Sequence, residues 1–128
     1  MTTREQWIAG ARPKTLPAAI APVLVGTSFA GYNASFLHTF LALTVALCLQ
    51  IGVNYANDYS DGIKGTDFDR VGPMRLVGSG AATADSVKKA AFISFFVAAI
   101  AGLILASRTS WLLIILGAIC IIAAWTYT

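Results

Sequence analysis

The sequence contains few charged residues for its length. Of its 128 residues, 57% are hydrophobic and only 12% are charged, whereas roughly a quarter of the residues in a soluble globular domain carry a charge. No charged residue lies between Lys14 and Asp58, and Arg108 is the single charge that follows Lys89. Apolar runs of this length exceed the roughly 18–20 residues that a membrane-spanning helix needs. We therefore exclude a soluble domain and predict an integral membrane protein.

The chain is also poor in the residues of thiol and nucleic-acid chemistry. Its two cysteines, Cys48 and Cys120, lie inside apolar runs at a spacing that matches no metal or redox motif, so we expect them to pack as small hydrophobic side chains. His38 has no potential metal ligand near it in the sequence. The net charge of +3 is spread without a basic run suited to nucleic acid.

The polar first 15 residues also argue against a cleavable signal peptide.

Four hydrophobic segments predict an all-α, polytopic transmembrane helix bundle. We predict helices over residues 16–32, 36–56, 90–106 and 111–128, with a polar loop at 57–89. The turns at 31–33 and 107–110 are short, so neighbouring helices should pack antiparallel.

The basic residues predict the orientation in the membrane. One basic residue, Arg108, falls on one side of the predicted helices, and all the others fall on the opposite side: Arg4, Arg12, Lys14, Lys64, Arg70, Arg75, Lys88 and Lys89. Because Lys and Arg accumulate in cytoplasmic loops, we expect the amino terminus and the 57–89 loop to face the cytoplasm.

The most informative segment follows the second hydrophobic run without a break. If the helix continues, Asn54, Asn57, Asp61 and Lys64 fall within an arc of about 80° at roughly 100° per residue, with Asp58 beside them. Polar and ionisable groups are costly at this depth, and they usually face a bundle interior and mark a functional site.

This face has the chemistry of a metal-bridged diphosphate site. Mg²⁺ is typically held by one or two carboxylates together with substrate phosphates. The nearby Lys64, Arg70 and Arg75 supply positive charge for phosphate oxygens. We also expect Gly62 and Gly65 to let the backbone leave the helix and approach a ligand closely.

Two plainer interpretations apply to parts of this segment. A solvated cytoplasmic loop is naturally polar, which suffices for Asp69 and Asp85. An EF-hand calcium loop is excluded, because its third and twelfth positions would be Tyr59 and Phe68.

Residues 57–67 resemble the first Asp-rich motif of the UbiA superfamily of membrane prenyltransferases. The form Asn-x-x-x-Asp-x-x-Lys-Gly-x-Asp is most similar to the branch that prenylates 1,4-dihydroxy-2-naphthoate in menaquinone synthesis. Residues 11–17 resemble the Arg-Pro entry to the family's first helix, and residues 69–77 resemble the loop after its first motif. The three matches occur in the family's order.

The resemblance implies a role for each matching side chain. Asp61 and Lys64 would be central to catalysis. The implied Mg²⁺ ligands are Asn57, Asp58, Asp61 and Asp67. The implied diphosphate contacts are Arg12, Lys14, Lys64, Arg70 and Arg75.

The resemblance also implies the reaction and its partners. A polyprenyl chain would pass from polyprenyl diphosphate to dihydroxynaphthoate, with loss of the carboxyl group, to give demethylmenaquinone in the inner membrane. Two alternatives stay open: another aromatic acceptor such as 4-hydroxybenzoate, and a non-enzymatic membrane subunit that binds ions.

The chain departs from the family in its length. The family has about nine transmembrane helices and a second Asp-rich motif, whereas this sequence ends at Thr128 and contains no second Asp cluster. We therefore expect an amino-terminal part that holds one half of the metal site and is inactive alone.

Overall fold

The computed structural model describes residues 2–64 and 75–127. All regular secondary structure in these two ranges is helical, which confirms the predicted all-α fold. The α-helices are α1 (Arg4–Ala11), α2 (Leu16–Ala30), α3 (Phe36–Lys64), α4 (Ala84–Arg108) and α5 (Leu112–Thr126).

Three stretches are long and apolar enough to cross a membrane. They are Arg4–Asn33, Phe36–Lys64 and Ala84–Arg108, and Leu112–Thr126 is a shorter apolar helix. Large apolar side chains point away from the bundle, and Phe29 for example is 94% exposed. A helix surface of this kind suits a hydrocarbon solvent, in which the helix satisfies its own backbone hydrogen bonds.

The pair α3 and α4 forms the centre of the bundle. Phe95 on α4 is buried against α3, and a Cβ atom on Gly52 would lie only 2.5 Å from its ring. Glycine at position 52 therefore permits this close approach of the two helices. Ala91 and Ala98 are also buried along α4, so small side chains dominate the contact.

The amino-terminal helix α1 is short and well capped. The Thr3 hydroxyl accepts a hydrogen bond from the Gln6 backbone at 3.2 Å, and the Gln6 side chain accepts one from the Thr3 backbone at 2.9 Å, which forms a capping box. The helix ends at Ala11, and the next residue, Arg12, caps it with a left-handed φ of 53°. A 3-10 turn, Pro13–Thr15, then leads into α2.

The polar loop is shorter than the sequence predicts. The helix α3 reaches Lys64 instead of ending at residue 56, and α4 begins at Ala84 instead of residue 90. The predicted bounds were wrong because an apolar run marks the part of a helix inside the membrane, whereas the helix itself can extend into polar sequence. At the start of α4, the Thr83 side chain accepts a hydrogen bond from the Ser86 backbone and caps the helix.

Candidate functional site

Polar segments gather at one end of the bundle. The Thr2 hydroxyl donates a hydrogen bond of 2.7 Å to the Ala81 carbonyl, so the start of the chain lies beside the segment that leads into α4. The last turns of α3 lie at this same end, which we call the polar end. Arg108 lies at the far end of α4. That the polar end faces the cytoplasm stays a prediction.

The predicted arc of polar residues exists because α3 is continuous. Asn57, Asp61 and Lys64 all lie within this helix, with Asn57 and Asp61 half-buried and Lys64 exposed. The side-chain amide of Asn57 makes no hydrogen bond within residues 2–64 and 75–127. We call Asn57, Asp61 and Lys64 the acidic face of α3.

Asn54 lies one turn before the acidic face and is occupied by the protein itself. Its side chain is 4% exposed, and its Nδ2 donates to the Ala11 carbonyl at 2.8 Å and to the Thr15 hydroxyl at 2.9 Å. The Ala11 carbonyl lies at the end of α1, where helix carbonyls lack partners within the helix. Asn54 therefore fixes the connection between α1 and α2 to α3.

Tyr55 secures α1 itself. Its hydroxyl donates to the Trp7 carbonyl at 2.7 Å, and its ring packs edge-to-face on Trp7 with the centroids 5.7 Å apart. Both an oriented hydrogen bond and an aromatic contact thus hold α1 against α3.

Asp58 fixes the part of the polar loop that leads into α4. Its carboxylate is 1% exposed, and its Oδ2 and Oδ1 accept hydrogen bonds from the backbone amides of Leu76 and Val77 at 2.7 and 2.9 Å. We call this pair of bonds the Asp58 clasp. Hydrogen bonds to an ionised acceptor are stronger than neutral ones, and here they bind backbone that lies 18 residues away in the sequence.

Two glycines allow close packing of Leu76 and Val77, which with Arg75 form what we call the clasped segment. A Cβ atom on Gly62 would lie 2.5 Å from the Val77 Cβ, and one on Gly10 would lie 2.5 Å from the Leu76 Cδ1. The prediction that the backbone leaves the helix at Gly62 is wrong, because Gly62 lies within α3. Its missing side chain makes room for Val77 instead. Gly65 lies outside the described residues.

The predicted diphosphate-binding residues are brought to the polar end in different environments. Arg12 is half-buried at the left-handed junction after α1, and Lys14 is exposed in the following turn. Arg75 is 6% exposed and directly precedes the clasped amides. Asp67 and Arg70 lie outside the described residues.

The oxygen ligands in the described ranges are few. Within residues 2–64 and 75–127, no three His, Cys, Asp or Glu side chains form a group that could hold a metal ion. The acidic face offers one carboxylate, from Asp61, and one amide oxygen, from Asn57. Both are ligand types that Mg²⁺ accepts.

An aromatic cluster that the sequence did not predict joins the three last helices at the polar end. Trp125 on α5 stacks on Tyr59 of α3 and on Phe92 of α4, with centroid distances of 5.8 and 4.7 Å. The Lys88 ammonium lies 5.7 Å from the centre of the Tyr59 ring, within reach of a cation–π interaction. The wide sequence separation of these residues explains why no local pattern indicated the cluster.

An apolar cavity of about 550 Å³ lies between α2, α3 and α5. Its walls include Val23, Leu49 and Val53, with Gln50 as a polar member. Val53 precedes Asn57 by one helical turn, so the cavity approaches the acidic face from the membrane side.

Long apolar helices and a polar end that presents carboxylate, amide and basic groups define an integral membrane protein of the helix-bundle class. The chain belongs to the UbiA prenyltransferase family, which it matches over residues 19–128.

Curated relatives agree with this assignment. The chain is 58% identical to the 1,4-dihydroxy-2-naphthoate octaprenyltransferase of Mycobacterium tuberculosis, across 100% of this chain and 44% of the relative. The enzyme of the same name from Mycobacterium leprae is 55% identical over the same shares. That from Escherichia coli is 41% identical across 97% of this chain and 43% of the relative. The chain therefore spans less than half the length of these relatives, and no solved structure matches it significantly.

Proposed function

We propose that this chain is the amino-terminal part of a Mg²⁺-dependent prenyltransferase of menaquinone synthesis. The enzyme transfers a polyprenyl group from polyprenyl diphosphate to 1,4-dihydroxy-2-naphthoate, with loss of the carboxyl group, and gives demethylmenaquinone. The observation that carries the proposal is the acidic face of α3, which lies on a continuous helix where the apolar span ends. The names of the relatives support this acceptor.

The acidic face suits one side of a Mg²⁺ site. Asn57 and Asp61 supply an amide and a carboxylate oxygen from adjacent turns, and the Asn57 side chain makes no hydrogen bond within the described ranges. Asp67 is a further proposed ligand. Asp58 is left out of this set, because both of its oxygens already accept backbone hydrogen bonds. When bound, Mg²⁺ would neutralise charge on the diphosphate.

Basic side chains around the acidic face bind and orient the diphosphate. Lys64 continues the face by almost one turn, and Arg75 reaches the polar end from the clasped segment. Their positive charges stabilise the negative charge that grows on the diphosphate as its bond to the prenyl carbon breaks. Arg12, Lys14 and Arg70 are further proposed contacts.

The apolar cavity, which is open on its outer side, offers the prenyl chain a water-poor surface. Ionisation of the prenyl diphosphate leaves an allylic cation, which water would capture in a solvated site. The cavity beside Val53 lies on the membrane side of Asn57, so a prenyl chain can stay among apolar side chains while its diphosphate meets the polar end. Under this proposal the polar end faces the cytoplasm from the inner membrane, and the 128-residue chain alone is inactive.

An assay of the full-length protein that contains this chain tests the proposal. The wild-type protein should transfer the polyprenyl group to dihydroxynaphthoate when Mg²⁺ is present, and this activity should stop when EDTA is added. Asp61→Asn should lower turnover by roughly 100-fold or more, because it removes charge stabilisation at the reacting group. The exposed carboxylate Asp85 provides a matched control, and Asp85→Asn should retain wild-type turnover.

The same assay separates the alternatives. A preference for 4-hydroxybenzoate over dihydroxynaphthoate would leave the family assignment intact and would show that the proposed acceptor is wrong. Divalent-ion binding that needs no diphosphate, without any turnover, would indicate an ion-binding subunit instead. Turnover that persists in Asp61→Asn and ignores Mg²⁺ would refute the proposed site.

A further inference from the structure

The Asp58 clasp and Arg75 are neighbours along the backbone. The Leu76 amide donates a hydrogen bond of 2.7 Å to Asp58 Oδ2, and this amide belongs to the peptide bond that joins Arg75 to Leu76. The second bond, from the Val77 amide to Oδ1, holds the next peptide unit, which joins Leu76 to Val77. Because the Arg75 Cα atom is part of the first of these peptide units, the clasp determines where the Arg75 side chain begins.

Packing reinforces this restraint from two sides. Leu76 is completely buried and lies against Gly10 of α1, while Val77 lies against Gly62 of α3. Arg75 itself is 6% exposed, so its guanidinium lies within the polar end of the bundle instead of extending into water. A buried arginine on a restrained backbone is preorganised, and preorganisation lowers the cost of binding an anion.

From these observations we propose that Asp58 is a positioning residue, whose carboxylate fixes the Arg75–Leu76 peptide so that the Arg75 guanidinium is presented to the diphosphate. Asp58 thus acts on the substrate through Arg75 and not through the metal. This inference rests on the proposed function, since it assumes that the anion at the polar end is a prenyl diphosphate.

Asp58→Asn is the first variant that tests the inference. An Asn side chain has one acceptor oxygen and one donor NH₂ group, so it can keep only one of the two clasp bonds and opposes the other amide. In the full-length protein in nanodiscs, hydrogen exchange at the Leu76 or Val77 amide should accelerate by about tenfold or more, corresponding to one lost hydrogen bond. The KM for prenyl diphosphate should rise by about tenfold, while the Mg²⁺ concentration for half-maximal activity stays within about twofold of wild type.

A double-mutant cycle decides whether Asp58 acts through Arg75. Arg75→Ala alone should raise both the KM and the Kd for prenyl diphosphate. If Asp58 serves only to place Arg75, Asp58→Asn combined with Arg75→Ala should bind no more weakly than Arg75→Ala alone. If the effects of the two substitutions on binding multiply instead, the inference is overturned. A Mg²⁺ requirement that rises in Asp58→Asn would also overturn it, and would favour Asp58 as a metal ligand. The control Asp85→Asn should leave all of these values unchanged.

Gly62→Ala provides a second route if Asp58→Asn does not fold. The added methyl group displaces Val77 from the same site and leaves the carboxylate intact, so it should raise KM without changing the Mg²⁺ requirement, and its effect should also disappear in the Arg75→Ala background. An effect that persists there would overturn the inference. Binding of prenyl diphosphate is measured beside turnover. A wild type that binds but does not turn over contradicts the proposed function, while the binding cycle still decides the role of Asp58.

Discussion

The helix α3 carries two pairs of residues with the same composition and spacing, Asn54 with Asp58 and Asn57 with Asp61. The first pair is buried, and its side chains form hydrogen bonds with backbone groups or a hydroxyl of other segments. The second pair is half-buried, and the Asn57 side chain makes no hydrogen bond within residues 2–64 and 75–127. One residue pattern therefore serves structure on one face and, as we propose, chemistry on the next.

The difference follows from what surrounds each face. Asn54 and Asp58 meet segments with unsatisfied backbone groups, namely the end of α1 and the start of the clasped segment. A buried polar group is stable only when it is hydrogen-bonded, so these contacts stabilise the fold. Among the described residues, the Asn57 side chain meets no such segment, so its amide is available for a ligand.

The largest expected contrast comes from the same substitution made in each pair. In Asn54→Asp, the donor to Ala11 and Thr15 is replaced by a buried carboxylate that can only accept, so we expect a loss of about 3–5 kcal/mol in unfolding free energy. Asn57→Asp should change it by less than about 0.5 kcal/mol. Reversible unfolding in mixed detergent micelles measures both. Equal losses of unfolding free energy in the two variants would show that both asparagines contribute alike to the stability of the fold.

Removal of the Asn57 amide should separate activity from stability. Asn57→Ala is expected to lower turnover by roughly 10- to 100-fold, because a proposed ligand to Mg²⁺ would be lost, with no measurable change in unfolding free energy. Asn54→Ala should instead lower the unfolding free energy by about 2 kcal/mol, since two buried hydrogen bonds disappear. Wild-type turnover in Asn57→Ala would remove Asn57 from the proposed site.

Two glycine substitutions test the packing behind the clasp. Gly62→Ala should cost about 1–3 kcal/mol of unfolding free energy, since the new methyl group overlaps Val77. Gly26 in α2 is its matched control, because a Cβ atom there meets nothing within 4 Å, and Gly26→Ala should be neutral or stabilise by up to about 1 kcal/mol. A harmless Gly62→Ala would mean that Val77 can move away freely.

The smallest effect is expected at Tyr55. Tyr55→Phe removes the 2.7 Å hydrogen bond to the Trp7 carbonyl and keeps the edge-to-face ring contact, so unfolding free energy should fall by about 1 kcal/mol. Tyr127→Phe changes an exposed side chain and serves as the comparison. A similar loss in both variants would assign the effect to the hydroxyl's interaction with solvent or lipid.

The features predicted from sequence are those with a local physical signal. The uncharged run between Lys14 and Asp58 indicates membrane helices, because charge is excluded from hydrocarbon whatever the fold. The arc of Asn57, Asp61 and Lys64 follows from helical periodicity alone. Both inferences required only neighbours in the sequence.

The features that sequence analysis missed depend on contacts between distant segments. Asp58 was expected to bind metal, yet its carboxylate accepts hydrogen bonds from the backbone amides of Leu76 and Val77, and no periodicity relates these positions. The close packing at Gly62 was missed for the same reason, since its neighbour Val77 lies far along the sequence, within the polar loop. A carboxylate in an Asp-rich motif can thus be committed to backbone, and only the fold distinguishes the two uses.

The Asp58 clasp also determines how the two sides of this contact can change during evolution. Its donors are backbone amides, which nineteen of the twenty amino acids provide at positions 76 and 77. Any substitution at these two positions therefore preserves the hydrogen bonds, except substitution by proline, which has no amide hydrogen. Its acceptor is a single side chain with two oxygens, so the constraint falls on position 58 alone.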